Sequence, residues 1–424
     1  MTTAGEIPSR PRRIALVTQG YCRGGGVPTV ARWLRRGLES TGNYSVDIHD
    51  LATSSKDATS RRLARPKTWL RRSLRSPSGS DDGVQHWGAN AVEVEFMRYR
   101  PRGELTRVLR NYDLIQVVTG GPALAAAVIK ADIPVVLQAA TRAEWERESQ
   151  LADRAIAKRA WRRGMTAMTS RVERSALHDV DVVLVENDVM LDHVRSLGQQ
   201  NVVKAPPGVD TDRFVPEPSG WNSDGYLLSV CRLGDARKGL NRIILAYGEM
   251  ARADARVPDL VLAGEGDLAP ATAELVRSLG LASRVHVRSG VDASELVRLY
   301  QRASVFLQTS HEEGLGMSVL EAMACGLPVV CTDTAGTRET VENGATGWLV
   351  VQGPDHLVAG EVAKRVLSAL EGGGADMGGQ GRDRCLRMFS LDVTLSRFTA
   401  VYDSLAPRPF SWGDRMPVQG GPAG

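Results

Sequence analysis

The sequence predicts an α/β protein made of two parallel-sheet domains. Short apolar runs alternate with amphipathic helical stretches along the chain, which is the pattern of βαβ units. The alternation breaks once, at PEPSGWNSDG (216–225), a run of turn formers, and then restarts. A chain of 424 residues, 42% hydrophobic and 24% charged, is long enough to close two cores.

In the first domain RIALVTQ reads as a strand and VPTVARWLRRGLES as the helix after it. DLIQVVTG precedes a helical ALAAAVIKA, and IPVVLQA precedes a long helical stretch from about 142 to 178. DVVLVEN and NVVKAPPGVD follow as strand-like runs. The second domain reads as YLLSVCRL, a helix over 239–254, DLVLAGEG, a helix over 270–280, VHVRSGV, a helix over 293–303, VFLQTS, a loop and short helix, PVVCTD and GWLVV. Helices near 355–371 and 391–405 complete the pattern. The expected boundaries are 1–208 and 209–390. A terminal helix, 391–406, is expected to return to the first domain, and the tail 407–424 to be disordered.

The stretch HEEGLGMSVLEAMACGLPVV (311–330) carries the chemistry. A helix is predicted from about Ser318 to Cys325, with Leu320, Met323 and Ala324 on one face, Gly326 ending it and Pro328 beyond. Its first turn leaves amide N–H groups unpaired, and Gly314 and Gly316 let a ligand approach the backbone. That suits a phosphate. Glu313 and Glu321, eight positions apart, suit sugar hydroxyls instead, so a diphosphate between two hydroxylated rings fits both features. An ordinary βα loop with two solvated acids is the competing interpretation.

The net charge of +4 conceals an asymmetry, because residues 1–210 hold 32 basic and 23 acidic residues while the remainder is acidic. RRLARPKTWLRRSLR (61–75) has seven basic residues and no acid, and RAIAKRAWRRGM (154–165) is also basic. Either an anionic surface or a solvated helix face accounts for them. Nucleic acid is not an expected partner, since no recognition motif or stacking platform accompanies the charge. The five cysteines (22, 231, 325, 331 and 385) form no metal-binding spacing and are expected to be reduced and mostly buried. No signal-like apolar run follows the N-terminal basic residues, and no stretch approaches the roughly 18 uninterrupted apolar residues of a membrane span. The expected location is cytoplasmic, with peripheral attachment to the inner face of the membrane as an open alternative.

Three further motifs compete. Gly264-x-Gly266-x-x-Ala269 has dinucleotide-fingerprint spacing, but it follows the second strand of its domain and the next strand ends Arg288-Ser289 without the required acid. Asp210-Thr211-Asp212 and Asp179-Val180-Asp181 have D-x-D spacing, the first at the domain junction and the second running into a strand. GGGVPT (24–29) ends a strand and opens a helix, but lacks the lysine and hydroxyl of a P-loop.

With the motifs in this order, the chain resembles the retaining glycosyltransferases of family 4, whose GT-B fold has two facing Rossmann-like domains. The resemblance rests on EGLGMSVLEAMACGLPVV (313–330), a glutamate, seven residues and a glutamate, supported by CRLGDARKGL, VLAGEGD, PPGVDTDRF, GGGVPTVARWL and TRETVENGATGWLV. It implies that Arg232 and Lys238 neutralise a donor diphosphate, that Glu321 accepts from ribose hydroxyls and that Glu313 accepts from the transferred sugar. It further implies that the amides of Gly316, Met317, Ser318 and Val319, with Gly314 and Leu315, hold the diphosphate and sugar. Gly24, Gly25 and Gly26 would face them across the cleft. The turn Gly264, Glu265, Gly266 and the segment around Val291 would line the nucleotide pocket. The implied partners are a nucleotide-sugar donor and a hydroxyl acceptor, anionic or membrane-associated if the basic segments bind it. No metal or cofactor is expected.

Two positions depart from the family pattern. The family's lysine stands five residues after the arginine, where this chain has Arg237, with Lys238 at six, so either could be the phosphate partner. A histidine usual after a first-domain strand is absent, its place taken by Ala139, Ala140 and Thr141. This leaves open a catalytically silent partner subunit of the same fold.

Overall fold

The computed structural model describes residues 10–22, 25–54, 56–70, 74–75, 83–148 and 156–405. Gly24 and the tail 407–424 lie outside them, as do parts of both basic segments.

The first unit is an eight-stranded sheet of β1 (Arg12–Thr18), β2 (Tyr44–Leu51), β3 (Leu74–Arg75), β4 (Val84–Trp87), β5 (Leu114–Thr119), β6 (Val135–Ala139), β7 (Val182–Val185) and β8 (Val202–Lys204), in the order β3-β4-β2-β1-β5-β6-β7-β8. Only β3 runs antiparallel to its neighbour. Its helices are α1 (Gly26–Ser40), α2 (Gly103–Leu109), α3 (Ala143–Glu148), α4 (Ile156–Asp179) and α5 (Asp188–Ser196). A six-stranded parallel sheet follows: β9 (Tyr226–Arg232), β10 (Leu260–Glu265), β11 (Val285–Ser289), β12 (Ala303–Gln308), β13 (Val329–Thr332) and β14 (Trp348–Val350), ordered β11-β10-β9-β12-β13-β14. Around it pack α6 (Leu240–Ala253), α7 (Pro270–Ser278), α8 (Ala293–Gln301), α9 (Met317–Ala324), α10 (Ala335–Thr340), α11 (Asp355–Glu371) and α12 (Gly374–Arg384). The last helix is α13 (Leu391–Ser404).

Near-continuous apolar strands follow from burial on both faces, since alternate side chains leave a strand in opposite directions. In β1, Ala15 and Val17 enter one core while Ile14 and Leu16 enter another. In β9, Leu227 and Leu228 divide likewise between the two cores of the second sheet. α13 crosses back to the first unit: Phe398 meets Trp33 edge to face, and the Tyr402 hydroxyl donates to Gln116 Oε1 at 2.7 Å. The Arg12 guanidinium donates to the carbonyls of Tyr402 and Leu405 at 2.6 and 2.9 Å, holding the helix end.

One expectation of regular helix needs correction. Residues 122–131 form two 3-10 stretches, Pro122–Ala127 and Ile129–Ala131, which a small apolar run packed into the core permits without a full α-turn register. Of the stretch 142–178, Ala143–Glu148 (α3) and Ile156–Asp179 (α4) are helical, and 149–155 lie outside the described residues. β2 escaped the sequence reading because Asp47, His49 and Asp50 interrupt its apolar pattern, and all three have polar partners in the fold.

The carboxyl ends of both sheets point into one cleft, the usual location of ligand sites in doubly wound folds. Polar contacts join its walls: Asn187 Nδ2 donates to the Gly314 carbonyl at 2.7 Å, Arg36 pairs with Asp210 at 2.9 Å, and Lys204 with Glu339 at 3.1 Å.

Candidate functional site

The cleft has a volume of about 860 Å³, in the range of small-molecule sites. α9 begins one residue earlier than expected, at Met317, with Gly316 as its N-cap at φ 91°, a left-handed conformation that glycine adopts without strain. No side chain caps this end. One expected donor is withdrawn: the Val319 amide already donates to the Gly316 carbonyl at 2.9 Å, because a helix ladder begins there. The amides before it lie in the first turn, beside the macrodipole's positive end, where an anion would be favoured.

Glu313 precedes this turn, and three donors converge on one of its oxygens. Lys238 Nζ is 2.6 Å from Oε1, Ser310 Oγ 2.6 Å and Gln308 Nε2 3.1 Å. Among the described residues Oε2 has no hydrogen-bond partner, so it remains available to a ligand. The Gln308 amide also donates to Ser318 Oγ at 3.3 Å, which links the end of β12 to the start of α9.

Arg237 and Lys238 have different partners in the fold. Arg237 binds Asp235 at 2.9 Å and reaches Glu146 of the first unit, also at 2.9 Å. Burial works against its charge, but Glu146 and Asp235 outweigh burial and hold its pKa above the ordinary value. Arg237 thus ties the walls together, while Lys238 stands with Glu313. Arg232, about half exposed and 3.0 Å from Asp235, projects towards Gly25: a Cβ added there would lie 3.9 Å from its Cδ. Gly25 and Gly26 line the cleft opposite α9, as expected, whereas Gly24 lies outside the described residues.

Glu321 sits one turn into α9, 8% exposed, with Oε2 accepting from the Tyr300 hydroxyl at 2.8 Å. Burial pushes its carboxyl up to about 7 despite that hydrogen bond. Gly264, Glu265 and Val291 line the same end of the cleft, and the Ser289 hydroxyl donates to the Gly266 carbonyl at 2.8 Å, closing the turn against β11. Gly264 has a structural reason to be glycine: an added Cβ would lie 1.8 Å from the Cys231 carbonyl oxygen. The D-x-D pairs are also engaged in the fold. Asp210 holds Arg36, and Asp181 accepts from the Val135 amide at 2.7 Å, closing the start of β6.

Residues the sequence reading missed are Gln308, Ser310 and Tyr300, which position the two glutamates, and Glu146, Glu186 and Glu312, acids of the cleft wall. Glu186 carried a legible signal, an acid closing the apolar strand VVLV. Glu312 is raised by burial, with Glu313 and Glu146 adding repulsion. No disulfide joins the cysteines among the described residues; Cys22, in the turn after β1, is exposed and Cys231, near the end of β9, is partly buried, and both line the cleft.

Residues 24–213 match the sequence model described as Glycosyltransferase Family 4, and residues 213–373 the one described as Glycosyl transferases group 1. A GDP-mannose-dependent alpha-(1-6)-phosphatidylinositol monomannoside mannosyltransferase of Mycolicibacterium smegmatis is 38% identical over 168 residues, 35% of this chain and 43% of that protein. The match therefore spans less than half the length of that relative. A D-inositol 3-phosphate glycosyltransferase of Kineococcus radiotolerans is 28% identical over 332 residues, 62% of this chain and 75% of that protein. Among solved structures, sucrose-phosphate synthase from Thermosynechococcus elongatus superposes with a TM-score of 0.67 at 20% identity, covering 93% of this chain and 99% of that one. Anabaena HepE in complex with UDP-glucose superposes at 0.64 and 16% identity, covering 93% and 100%. At these identities the structures establish a common fold, the GT-B arrangement.

Proposed function

Since the chain belongs to the family 4 glycosyltransferases, whose two sequence models follow one another along it, we propose that it transfers a sugar from a nucleoside diphosphate to a hydroxyl acceptor with retention of anomeric configuration. The observation that carries this reading is the convergence of Lys238, Ser310 and Gln308 on one oxygen of Glu313 at the open end of α9. A carboxylate so held, with its second oxygen available, suits sugar hydroxyls, while the adjacent amides and Arg232 suit a diphosphate.

In this reading residues 209–390 hold the donor and residues 1–208 the acceptor. Arg232 and Lys238 neutralise the charge that grows on the leaving diphosphate, the point at which fixed electrostatics lowers a barrier. The acceptor hydroxyl attacks from the leaving-group side and passes its proton to the departing phosphate oxygen. Glu313 stabilises positive charge at the anomeric carbon, without forming a covalent intermediate. No metal is assigned a role. The names of the relatives support GDP-mannose as a donor to test and an anionic inositol-type acceptor. The basic excess of the first unit agrees with an anionic acceptor or membrane surface.

A thermal-shift screen against UDP, GDP, ADP and dTDP tests the donor assignment. A ligand at 100 times its dissociation constant adds about 2.7 kcal/mol of stability. Stabilisation by one of the four is expected. Stabilisation without turnover of any donor sugar would favour the silent partner subunit, and stabilisation by a nicotinamide cofactor instead would favour a dehydrogenase.

A further inference from the structure

The acid Glu186 lies at the carboxyl end of β7, in the register that pairs Ala139 of β6 with Val185. It therefore comes next to Ala140 in the ladder. Ala140 packs against the glutamate loop, with a Cβ added at Gly314 falling 2.7 Å from its own Cβ. Ala139 and Ala140 contribute only methyl groups here, so the polar groups of this wall come from Thr141 and from the neighbouring strand. Glu186 is 6% exposed yet lines the cleft. Its Oε1 accepts from Gln138 Nε2 at 3.3 Å, and its Oε2 has no hydrogen-bond partner among the described residues. The Gln138 Oε1 beneath it is also buried without a partner.

A buried acid whose nearest charged neighbours are other acids, Glu312 and Glu313, has no ion-pair reason to be there. Left unpaired it costs stability, and an apolar residue at the end of this apolar strand would avoid that cost. We propose that Glu186 is a specificity-determining residue that hydrogen-bonds a hydroxyl of the donor's transferred sugar from the first unit, opposite Glu313. This rests on the donor reading above and adds a residue which that reading does not use. Burial pushes the Glu186 carboxyl up to about 7, so near neutrality a large fraction is the uncharged acid, able to donate and to accept at once. That is the pairing a sugar hydroxyl requires. Glu313, held by a lysine, supplies a charged acceptor on the other side.

The test compares GDP-mannose with GDP, and UDP-glucose with UDP, by calorimetry on the full chain. The ratio of the two dissociation constants isolates the sugar's contribution. Glu186→Val is expected to weaken nucleotide-sugar binding about tenfold while nucleoside diphosphate binding stays within about twofold, the tenfold loss corresponding to about 1.4 kcal/mol. Glu186→Gln, which still donates and accepts, is expected to stay within about threefold for both. A Glu186→Val protein whose sugar contribution equals that of the wild type would overturn this inference and leave the donor reading standing. A wild-type protein that binds neither nucleoside diphosphate would overturn the donor reading and the inference with it.

Discussion

Lys238 lies 2.6 Å from Glu313, while the side chain next to it, Arg237, is committed to Asp235 and to Glu146 across the cleft. The two cations therefore have different surroundings in the same cleft. Lys238→Ala should weaken GDP or UDP binding by about 1.5–3 kcal/mol, the usual loss for a charge-assisted contact. Arg237→Ala should lower the melting temperature instead, because it strands Glu146 and leaves Asp235 with Arg232 alone, and should leave nucleotide affinity within about threefold. Calorimetry on the two variants separates these roles, and equal losses of affinity would contradict the division.

Gly314 brings the glutamate loop against the first unit, its carbonyl accepting from Asn187 Nδ2 at 2.7 Å. An added Cβ would lie 2.7 Å from the Ala140 Cβ and 2.8 Å from its carbonyl oxygen, neither of which can swing aside. Gly314→Ala should therefore push the walls apart at the reacting end, while the binding surface of the second unit keeps its shape. The expected result is a fall in turnover of about tenfold or more, with GDP or UDP affinity close to wild type. Unchanged turnover would mean that this contact is not needed for the reaction.

Much of this site was legible because its chemistry is local in sequence. Gly314, Gly316, Glu313 and Glu321 fall within nine residues, so a turn, a helix start and two acids could be read together. Gln308, Ser310 and Tyr300 could not be assigned in the same way, since their roles depend on side-chain partners that no periodicity encodes. The ambiguity between Arg237 and Lys238 was likewise beyond sequence, because what separates them is Glu146, 91 positions away. Most of the parallel strands were readable from their apolar runs, but β2 and its parallel neighbour β4 were not. β2 was hidden because His49 and the two aspartates break its pattern, each taking a polar partner, and Asp50 joins His86 and Asp57 in a small network.

That network makes stability depend on pH. His86 sits between Asp50 and Asp57, at 2.7 and 2.8 Å, and their hydrogen bonds raise its pKa to about 9. A histidine raised above its unfolded value contributes stability that is fully present below about 6.5 and is lost as pH rises through about 9. Asp57 is held below the usual carboxylate range, burial opposing and the His86, Ser60 and Thr59 hydrogen bonds prevailing, so its contribution disappears only on acidification. Asp50 also accepts from the Tyr21 amide, at the loop that leads into α1. Melting temperature should fall between pH 7 and 9.5, and His86→Gln should flatten that slope. After discounting for part exposure the effect should be about 2 kcal/mol at most. Parallel slopes in the two proteins would rule the clamp out.

The first basic segment presents Trp69 and Leu70 at 54% and 96% exposure beside Arg61, Arg62, Arg65 and Lys67. Arginines and lysines near an anionic surface contribute about 1 kcal/mol each, and exposed apolar side chains add insertion. The protein should sediment with phosphatidylglycerol vesicles and remain free of phosphatidylcholine vesicles. Replacing Trp69 and Leu70 by serine should reduce the bound fraction severalfold without changing nucleotide affinity. Equal sedimentation with both lipids would return the segment to an ordinary solvated surface.

Glu321 should couple nucleotide binding to a proton. Burial places its carboxyl at about 7 in the free protein, so near neutrality about half of the molecules carry it uncharged. Ribose hydroxyls that donate to this group favour the carboxylate, which lowers its pKa in the complex. The sign follows: below about 7 binding must first remove a proton, so affinity falls as pH falls, and at pH 7 binding releases about half a proton. Calorimetry of GDP or UDP at pH 7, in two buffers of different ionisation enthalpy, measures that release. Phosphate ionisation adds the same background to every variant, so the comparison between variants is what counts. Glu321→Gln should remove the release attributable to this carboxyl and weaken nucleotide binding at pH 8 more than at pH 6. Glu313→Gln should keep the release, because its oxygen is already committed to Lys238 and is assigned to the sugar rather than the ribose. If Glu321→Gln releases as many protons as the wild type, the ribose is not bound by this side chain. The two glutamates that open and follow the turn would then need different partners.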